Sequence, residues 1–406
     1  MAAIRRIGRS PRWRLPDGLL DILWLWLVVR VGLSLLAAVL FVNGNLPGPC
    51  NHDIVINRWI TVPPLDNQGL AFPLVGVWQH ADACWYSKIA YWGYEAGVPS
   101  TNFFPLLPLL MSVSSNVLGG DVNLAGLFIN AIALIVALFG LQRLVRLDFD
   151  AATADRAVLY QAVFPVAFFL YAPFTEALFL AASVWALLGA RLRRWKLVAF
   201  AGFVAGLDRP VGLVLLLPVG WEVVLTFRDR WRADGRGPGR FSWGDLAIPI
   251  AVVAPVVAYA GYVTVSGFVG EPYALAHDAF LWQVPALRPP WDTIVLAWDR
   301  VVNAHDAVTL LNVAVLFAFL GLFLAGLRRM PASYSLLALP QLVLILCVGT
   351  LDPLESASRY LMVIFPCVVM LALLGRSQRF HTAWVALSLL FLGLFTTLFL
   401  QGQFIG

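Results

Sequence analysis

The thirty residues from Gln79 to Pro108, QHADACWYSKIAYWGYEAGVPSTNFFPLLP, bring an acid, a base, a run of aromatics and a proline-fixed apolar entry into one stretch. Asp82 is followed by Trp85, Tyr86, Lys88, Trp92, Tyr94 and Glu95. A carboxylate at such a place can take a proton from an attacking hydroxyl. Trp and Tyr present flat apolar faces, each with one polar edge, of the size of a sugar ring. An acid beside such faces suits glycosyl transfer. The same residue types have a plainer use, because Trp and Tyr also anchor proteins at membrane interfaces, and an aspartate in a loop is ordinarily just solvated.

The elements that must position this stretch are membrane spans. The chain has 406 residues, 60% hydrophobic and only 13% charged, with a mean hydropathy of +0.81. That composition excludes a soluble domain and implies a polytopic membrane protein. A net charge of +5 is explained by sorting of arginines to one membrane side, and nucleic acid is not an expected partner. No Cys/His spacing fits zinc. No cofactor is read from the sequence, and dependence on a divalent metal is left open.

Apolar segments and basic loops alternate along the chain. An arginine-rich start precedes a first span at Leu19–Val42, with Arg30 near its middle. A charge at that depth requires a buried partner or an anionic lipid head group. A first large outer loop, 43–103, holds Asp53, Asp66 and Asp82, and a second covers 267–306 with His277, Asp278, Trp282, Trp291 and Trp298. The run Trp78–Tyr94 reads as an interfacial helix. The run 103–118 re-enters the apolar phase, and further spans are expected at 124–141, 157–172, 177–190, 197–207, 211–227, 246–265, 307–327, 334–349, 361–374 and 382–404, with 157–172 and 177–190 as the two short arms of an out-and-back hairpin about the elbow Pro173–Glu176. The expectation is one all-α domain over 1–406, a bundle of about 11 transmembrane helices in which the two large loops carry interfacial helices. Twenty-one of the 28 Lys and Arg fall in inner loops and six in outer ones, which places the N-terminus in the cytoplasm and Asp82 outside. Cys50 and Cys84 share the first outer loop, either as a disulfide or as two free thiols.

Asp82-Ala83-Cys84-Trp85-Tyr86, Ile89-Ala90, Gly93-Tyr94 and Phe103-Phe104-Pro105-Leu106-Leu107-Pro108 together resemble the signature of the PIG-V-type mannosyltransferases, which include GPI mannosyltransferase II and its bacterial relatives within the GT-C superfamily. Pro173–Phe179 resembles that family's P-x-T-E-A-L-F element, Gly206 to Pro210 its G-L-x-R-P element, and Arg359-Tyr360 a late R-Y element. The family's aspartate ends an Arg-Trp-Asp triplet, whereas His80 and Ala81 precede Asp82 here. The resemblance implies a GT-C-like fold, mannose as the transferred sugar, a polyprenyl-phosphate sugar donor and a lipid or glycolipid acceptor in a bacterial plasma membrane.

Charges retained at membrane depth usually line a site. Asp82, Lys88, Glu176, Arg209, Glu355 and Arg359 all map to the outer side or its rim. Within the resemblance Asp82 is the catalytic base. Arg209, Arg359 and Lys88 bind the donor phosphate, since arginine grips phosphate through a planar fork. Trp85, Tyr86, Tyr94, Glu176 and Tyr360 contact substrate. Plainer roles remain for several: Glu176 fixing the elbow around it, Asp208 pairing with Arg209, and Glu355 pairing with Arg359 one helical turn away. An outward site has no access to cytosolic nucleotide sugars, and no Gly-rich phosphate loop is present. The rival reading is a polytopic lipid or sugar transporter or flippase without transferase activity. Transporters often carry inverted repeats, and no repeat is visible here.

The charge sorting yields an expected outcome. A cysteine introduced near Asp66 should react with a membrane-impermeant thiol reagent from outside, and one near Gly235 should not. Labelling in the reverse sense would overturn the orientation.

Overall fold

A computed structural model of the chain describes residues 17–44, 46, 50, 71–95, 99–234, 243–270, 272–273, 287–348 and 353–403. Among the described residues the fold is all-helical, with one isolated bridge between Leu287 and Val348 and no strand. Among the described residues six helical segments are long and apolar enough to cross a membrane: Leu19–Val42, Val122–Val145, Pro210–Arg232, Ala247–Val269, Ala307–Gly326 and Gln378–Leu400. Asp53, Asp66, His277, Asp278 and Trp282 lie outside the described residues.

The first helix, α1 (Leu19–Val42), occupies the run expected from hydropathy. Two short pieces follow, α2 (Ala71–Leu74) and a tight turn at Gly76–Trp78, and lead into α3 (Asp82–Trp92). Next come α4 (Leu106–Ser115) and the long α5 (Val122–Val145). Asp121 caps α5 by accepting from the amides of Asn123 and Leu124, each at 2.9 Å, which satisfies two of the donors a helix start leaves over.

Several expected spans are shorter or broken. The apolar run 157–172 is divided into α6 (Ala151–Ala162) and α7 (Phe168–Tyr171). Pro165 sits in the break, and proline removes a donor and disfavours helix at the residue before it. The run 361–374 is likewise divided, into α15 (Ala357–Met362) and α16 (Phe365–Leu374), ahead of Pro366. Between these lie α8 (Glu176–Arg191), α9 (Trp195–Asp208), α10 (Leu216–Asp234), α11 (Ala247–Val269), α12 (Pro290–Val302), α13 (Ala307–Gly326) and α14 (Ala332–Cys347), and α17 (Gln378–Leu400) closes the chain. The sixteen residues of α8 and fourteen of α9 reach only about 24 and 21 Å, short of a core of about 30 Å. Protein, not lipid, surrounds most of α8, where Ala177, Phe179, Leu180, Val184 and Leu187 are fully buried. Irregular backbone at membrane depth is tolerated under such cover.

The arms α8 and α9 are joined by the short basic turn at 192–194, so Glu176 and Asp208–Arg209 return to one end of the bundle. At Arg209 the backbone is extended (φ −156°, ψ 149°) before a tight helical turn at Pro210–Leu215. Within the second large loop, α12 exposes Trp291 (65%) and Trp298 (71%) with Ile294, Val295 and Val302. Thr293 and Ala297 face the protein, so the exposed apolar stripe is that of a helix lying at a membrane surface.

The seat of α9 is tight. A Cβ placed on Gly206 would lie 2.3 Å from the carbonyl oxygen of Pro255 in α11, whereas Gly32 in α1 has nothing within 4 Å. Gly206→Ala is therefore expected to lower the melting temperature in detergent, costing about 1–3 kcal/mol of overpacking, while Gly32→Ala should leave it unchanged or raised. Equal effects of the two would contradict this packing.

Candidate active site

Four segments converge on one cluster of charges. Asp82 opens α3 and is delivered by Ala81, whose φ of 49° and ψ of −127° are strained for a residue with a Cβ. Arg359 lies in α15, which follows two further left-handed residues, Leu354 (φ 61°) and Ser356 (φ 62°). Glu176 opens α8, and Arg209 follows the last residue of α9. Backbone strain thus flanks the entry to both Asp82 and Arg359, the places where the chain must turn sharply to aim a side chain inward.

Arg359 joins the two carboxylates. Its Nη1 donates to Asp82 Oδ2 at 2.5 Å, and its Nε donates to Glu176 Oε1. The same Glu176 oxygen accepts from Arg209 Nη2, while Arg209 Nε donates to Thr175 Oγ1 at 2.6 Å. Phe174 and Phe169 cover the Arg359 guanidinium, with centroids 4.7 and 5.1 Å away. Tyr360 offers its ring to both arginines, at 5.4 Å from Arg209 and 5.7 Å from Arg359.

Access to the four charged side chains is graded: Glu176 is 0% exposed, Arg359 2%, Arg209 11% and Asp82 31%. Two positive and two negative groups balance, as buried charges must. Asp82 is the member open to an incoming molecule. Tyr86 backs onto the cluster. Burial, and then the neighbouring Asp82 carboxylate, push its hydroxyl well above the usual tyrosine range, so it stays a protonated donor.

The remaining candidates sit elsewhere. Lys88 is bonded to Glu95 at 3.1 Å; six residues along α3 from Asp82, it points about 240° round the helix. The Trp85 ring is stacked on Phe103, with centroids 5.2 Å apart at 12°, and is 1% exposed. Tyr94 donates to the Phe103 carbonyl at 2.7 Å and packs near Tyr262. These residues bind α3 to the start of α4 and to α11. Of the aromatic candidates, Tyr360 is partly exposed and lies beside the two arginines.

Cys50 and Cys84 form a disulfide, with Cα atoms 5.8 Å apart. It ties the start of the first loop to the first turn of α3. Arg359 bonds to Glu176 and Asp82 rather than to Glu355, and Arg209 turns to Thr175 and Glu176 rather than to Asp208. Asp208 is 1% exposed, and neither carboxylate oxygen has a hydrogen-bond partner among the described residues. Thr175, Phe169 and Phe174 were not singled out from sequence. Thr175 and Phe174 belong to the Pro173–Phe179 element, so a signal was present. Among the described residues no group of three or more His, Cys, Asp or Glu is placed to hold a metal ion.

No protein-family model matches the chain, and no curated protein matches it. Among solved structures, the chain is similar to the apo oligosaccharyltransferase of Archaeoglobus fulgidus at 16% identity and a TM-score of 0.42, over 97% of this chain and 57% of that one. It is also similar to archaeal oligosaccharyltransferase AglB from the same organism, in complex with an inhibitory peptide and a dolichol-phosphate, at 14% identity and a TM-score of 0.39, over 93% of this chain and 56% of that one. The chain thus spans a little over half the length of these structures. Likeness at this distance assigns no role to any residue here.

The cluster makes a stability forecast. Removing one partner of a buried ion pair costs about 3–5 kcal/mol. Glu176→Gln, which leaves two guanidiniums on one neutral amide, should lose that much in detergent unfolding. Asp229→Asn breaks a pair with Arg193 whose members are 42% and 49% exposed and should lose less than about 1 kcal/mol. Comparable losses for the two would mean that Glu176 is not the anchor of the cluster.

Proposed function

We propose that the chain is an inverting membrane glycosyltransferase of the GT-C type that moves a sugar from a polyprenyl-phosphate donor to a hydroxyl of a lipid or glycolipid acceptor. The observation that carries this reading is Arg359 bridging the half-open Asp82 to the closed Glu176–Arg209 pair. Mannose, the outward orientation and a bacterial plasma membrane rest on the motif resemblance and the charge sorting.

The chemistry follows from the positions. The acceptor oxygen attacks the anomeric carbon as Asp82 takes its proton. The bond from that carbon to the phosphate oxygen breaks, and polyprenyl phosphate leaves with the electron pair, held by Arg209 and Arg359. Attack on one face with departure from the other inverts the anomeric centre. The donor is a phosphodiester with one negative charge. The product phosphate carries one more, while Asp82 loses one on protonation. Charge therefore passes from Asp82 to the phosphate with no net change in the site, and Arg359 touches both ends of that path.

Arg359 holds Asp82 Oδ2. A donor phosphate competes for Arg359 and frees that oxygen for the acceptor, so the donor binds first. Thr175 and Glu176 keep Arg209 in place during the exchange. Tyr360 supplies an apolar face for the sugar.

Purified protein with polyprenyl-phosphate-mannose and candidate lipid acceptors provides the test. Release of polyprenyl phosphate with mannosyl product is expected; movement of the lipid across the bilayer without turnover would make the chain a carrier. Asp82→Asn should lower turnover on the order of 100- to 10,000-fold while donor affinity stays near normal or rises. Arg359→Lys should weaken donor binding and slow turnover, because a point charge does not reproduce the fork. An Asp82→Asn enzyme with most of its rate would remove Asp82 from the chemistry.

A further inference from the structure

Arg30 lies at the twelfth residue of the 24-residue span α1. No carboxylate pairs with it among the described residues. Its Nη2 donates to the carbonyl of Leu74 at 3.0 Å and its Nη1 to the carbonyl of Tyr171 at 3.3 Å. The guanidinium lies 4.9 Å from the centroid of the Trp78 ring, which is fully buried. Leu74 and Tyr171 are the last residues of α2 and α7. The carbonyls at a helix end have no partner within the helix, and one planar fork satisfies two of them.

The positions along the chain give this contact its meaning. Trp78 stands four residues before Asp82, and Tyr171 stands four before Thr175 and five before Glu176. A single side chain from α1 therefore joins the segment that delivers the base to the segment that delivers the phosphate cluster. The second segment has other supports. Asn130 of α5 donates to the carbonyls of Ala172 and Phe174, and a Cβ on Gly126 would lie 2.7 Å from Pro173 Cβ. Arg30 supplies the segment 71–78 with hydrogen bonds that reach across to the elbow.

We propose that Arg30 is a positioning residue that sets the place of Asp82 relative to Arg359, Arg209 and Glu176; this rests on the reading of Asp82 as the base. Its charge is a consequence of the planar fork, which reaches two carbonyls through two separate nitrogens beside an indole, where a lysine has one nitrogen. The phosphate-binding side is held independently, so loss of Arg30 separates turnover from donor binding.

The test uses the full chain in lipid nanodiscs with Arg30→Gln, Arg30→Lys and Asp82→Asn. Amide hydrogen exchange reports the clamp without reference to any substrate. Faster exchange at residues 75–82 in both Arg30 variants is expected, with residues 176–184 still protected and Asp82→Asn like the unaltered protein. With polyprenyl-phosphate-mannose, both Arg30 variants should lose on the order of 100-fold in turnover, the cost of about 1 Å of misplacement, with KM for the donor within a few-fold. If Arg30→Gln does not insert, Arg30→Lys, which keeps the charge, carries the same comparison. Unchanged exchange at 75–82, or donor affinity lost in step with turnover, overturns the proposal alone. Full activity of Asp82→Asn overturns the base assignment, and this proposal with it.

Discussion

Glu176 Oε1 accepts from two guanidiniums in a place closed to solvent, and much of the site follows from that arrangement. Two arginines side by side repel, and each is costly to remove from water. A carboxylate between them offsets both terms, but only with good geometry and no freedom to drift. The bundle supplies that geometry by placing Glu176 at the start of one helix, Arg209 just beyond the end of the next, and Arg359 behind a strained turn. Thr175 and the rings of Phe169 and Phe174 complete the enclosure. Asp82 is the remaining member, and it keeps partial access to solvent.

The same constraint bears on the helices. A charged cluster at membrane depth cannot border lipid, so the segments that build it are wrapped in others. Once wrapped, they no longer need to span. That fits α8, which falls short of a bilayer crossing under such cover, and the buried runs around Pro165 and Pro366, which break instead of continuing. The helices that meet lipid, such as α1 with Leu20, Trp24 and Leu35 exposed, are long and nearly uniform in apolar character.

Hydropathy located much of this. The first span was expected at Leu19–Val42 and lies at Leu19–Val42, and the hairpin around Asp208–Arg209 follows from charge sorting. The broken runs were not legible as breaks, because an apolar stretch reads alike whether it crosses lipid or packs inside protein. The motif pointed to Asp82, Glu176, Arg209 and Arg359 without revealing how they pair. Glu355 is four residues from Arg359 and invites a local ion pair, whereas Glu176 is 183 residues away. No spacing rule reaches that distance. Composition also overstated the aromatics of α3. Trp85 and Tyr94 have the chemistry for a sugar face, but Phe103 covers the Trp85 ring and accepts the Tyr94 hydrogen bond on its backbone carbonyl.

The disulfide and Arg30 act on Asp82 from opposite sides. Cys84 lies two residues after Asp82 and is tied back to Cys50, while Trp78, four residues before it, lies against Arg30. Ala81, at φ 49°, takes up the turn between the two fixed points. A residue with a Cβ is held in such a conformation only where its surroundings over-determine it. The disulfide limits the first turn of α3, and the arginine limits the approach to it, so Asp82 has little freedom of backbone placement. What freedom remains is in its side chain, which is the part that must exchange Arg359 for an acceptor hydroxyl. A rigid backbone with one exchangeable contact is the arrangement expected if donor binding, through Arg359, decides when the carboxylate becomes available.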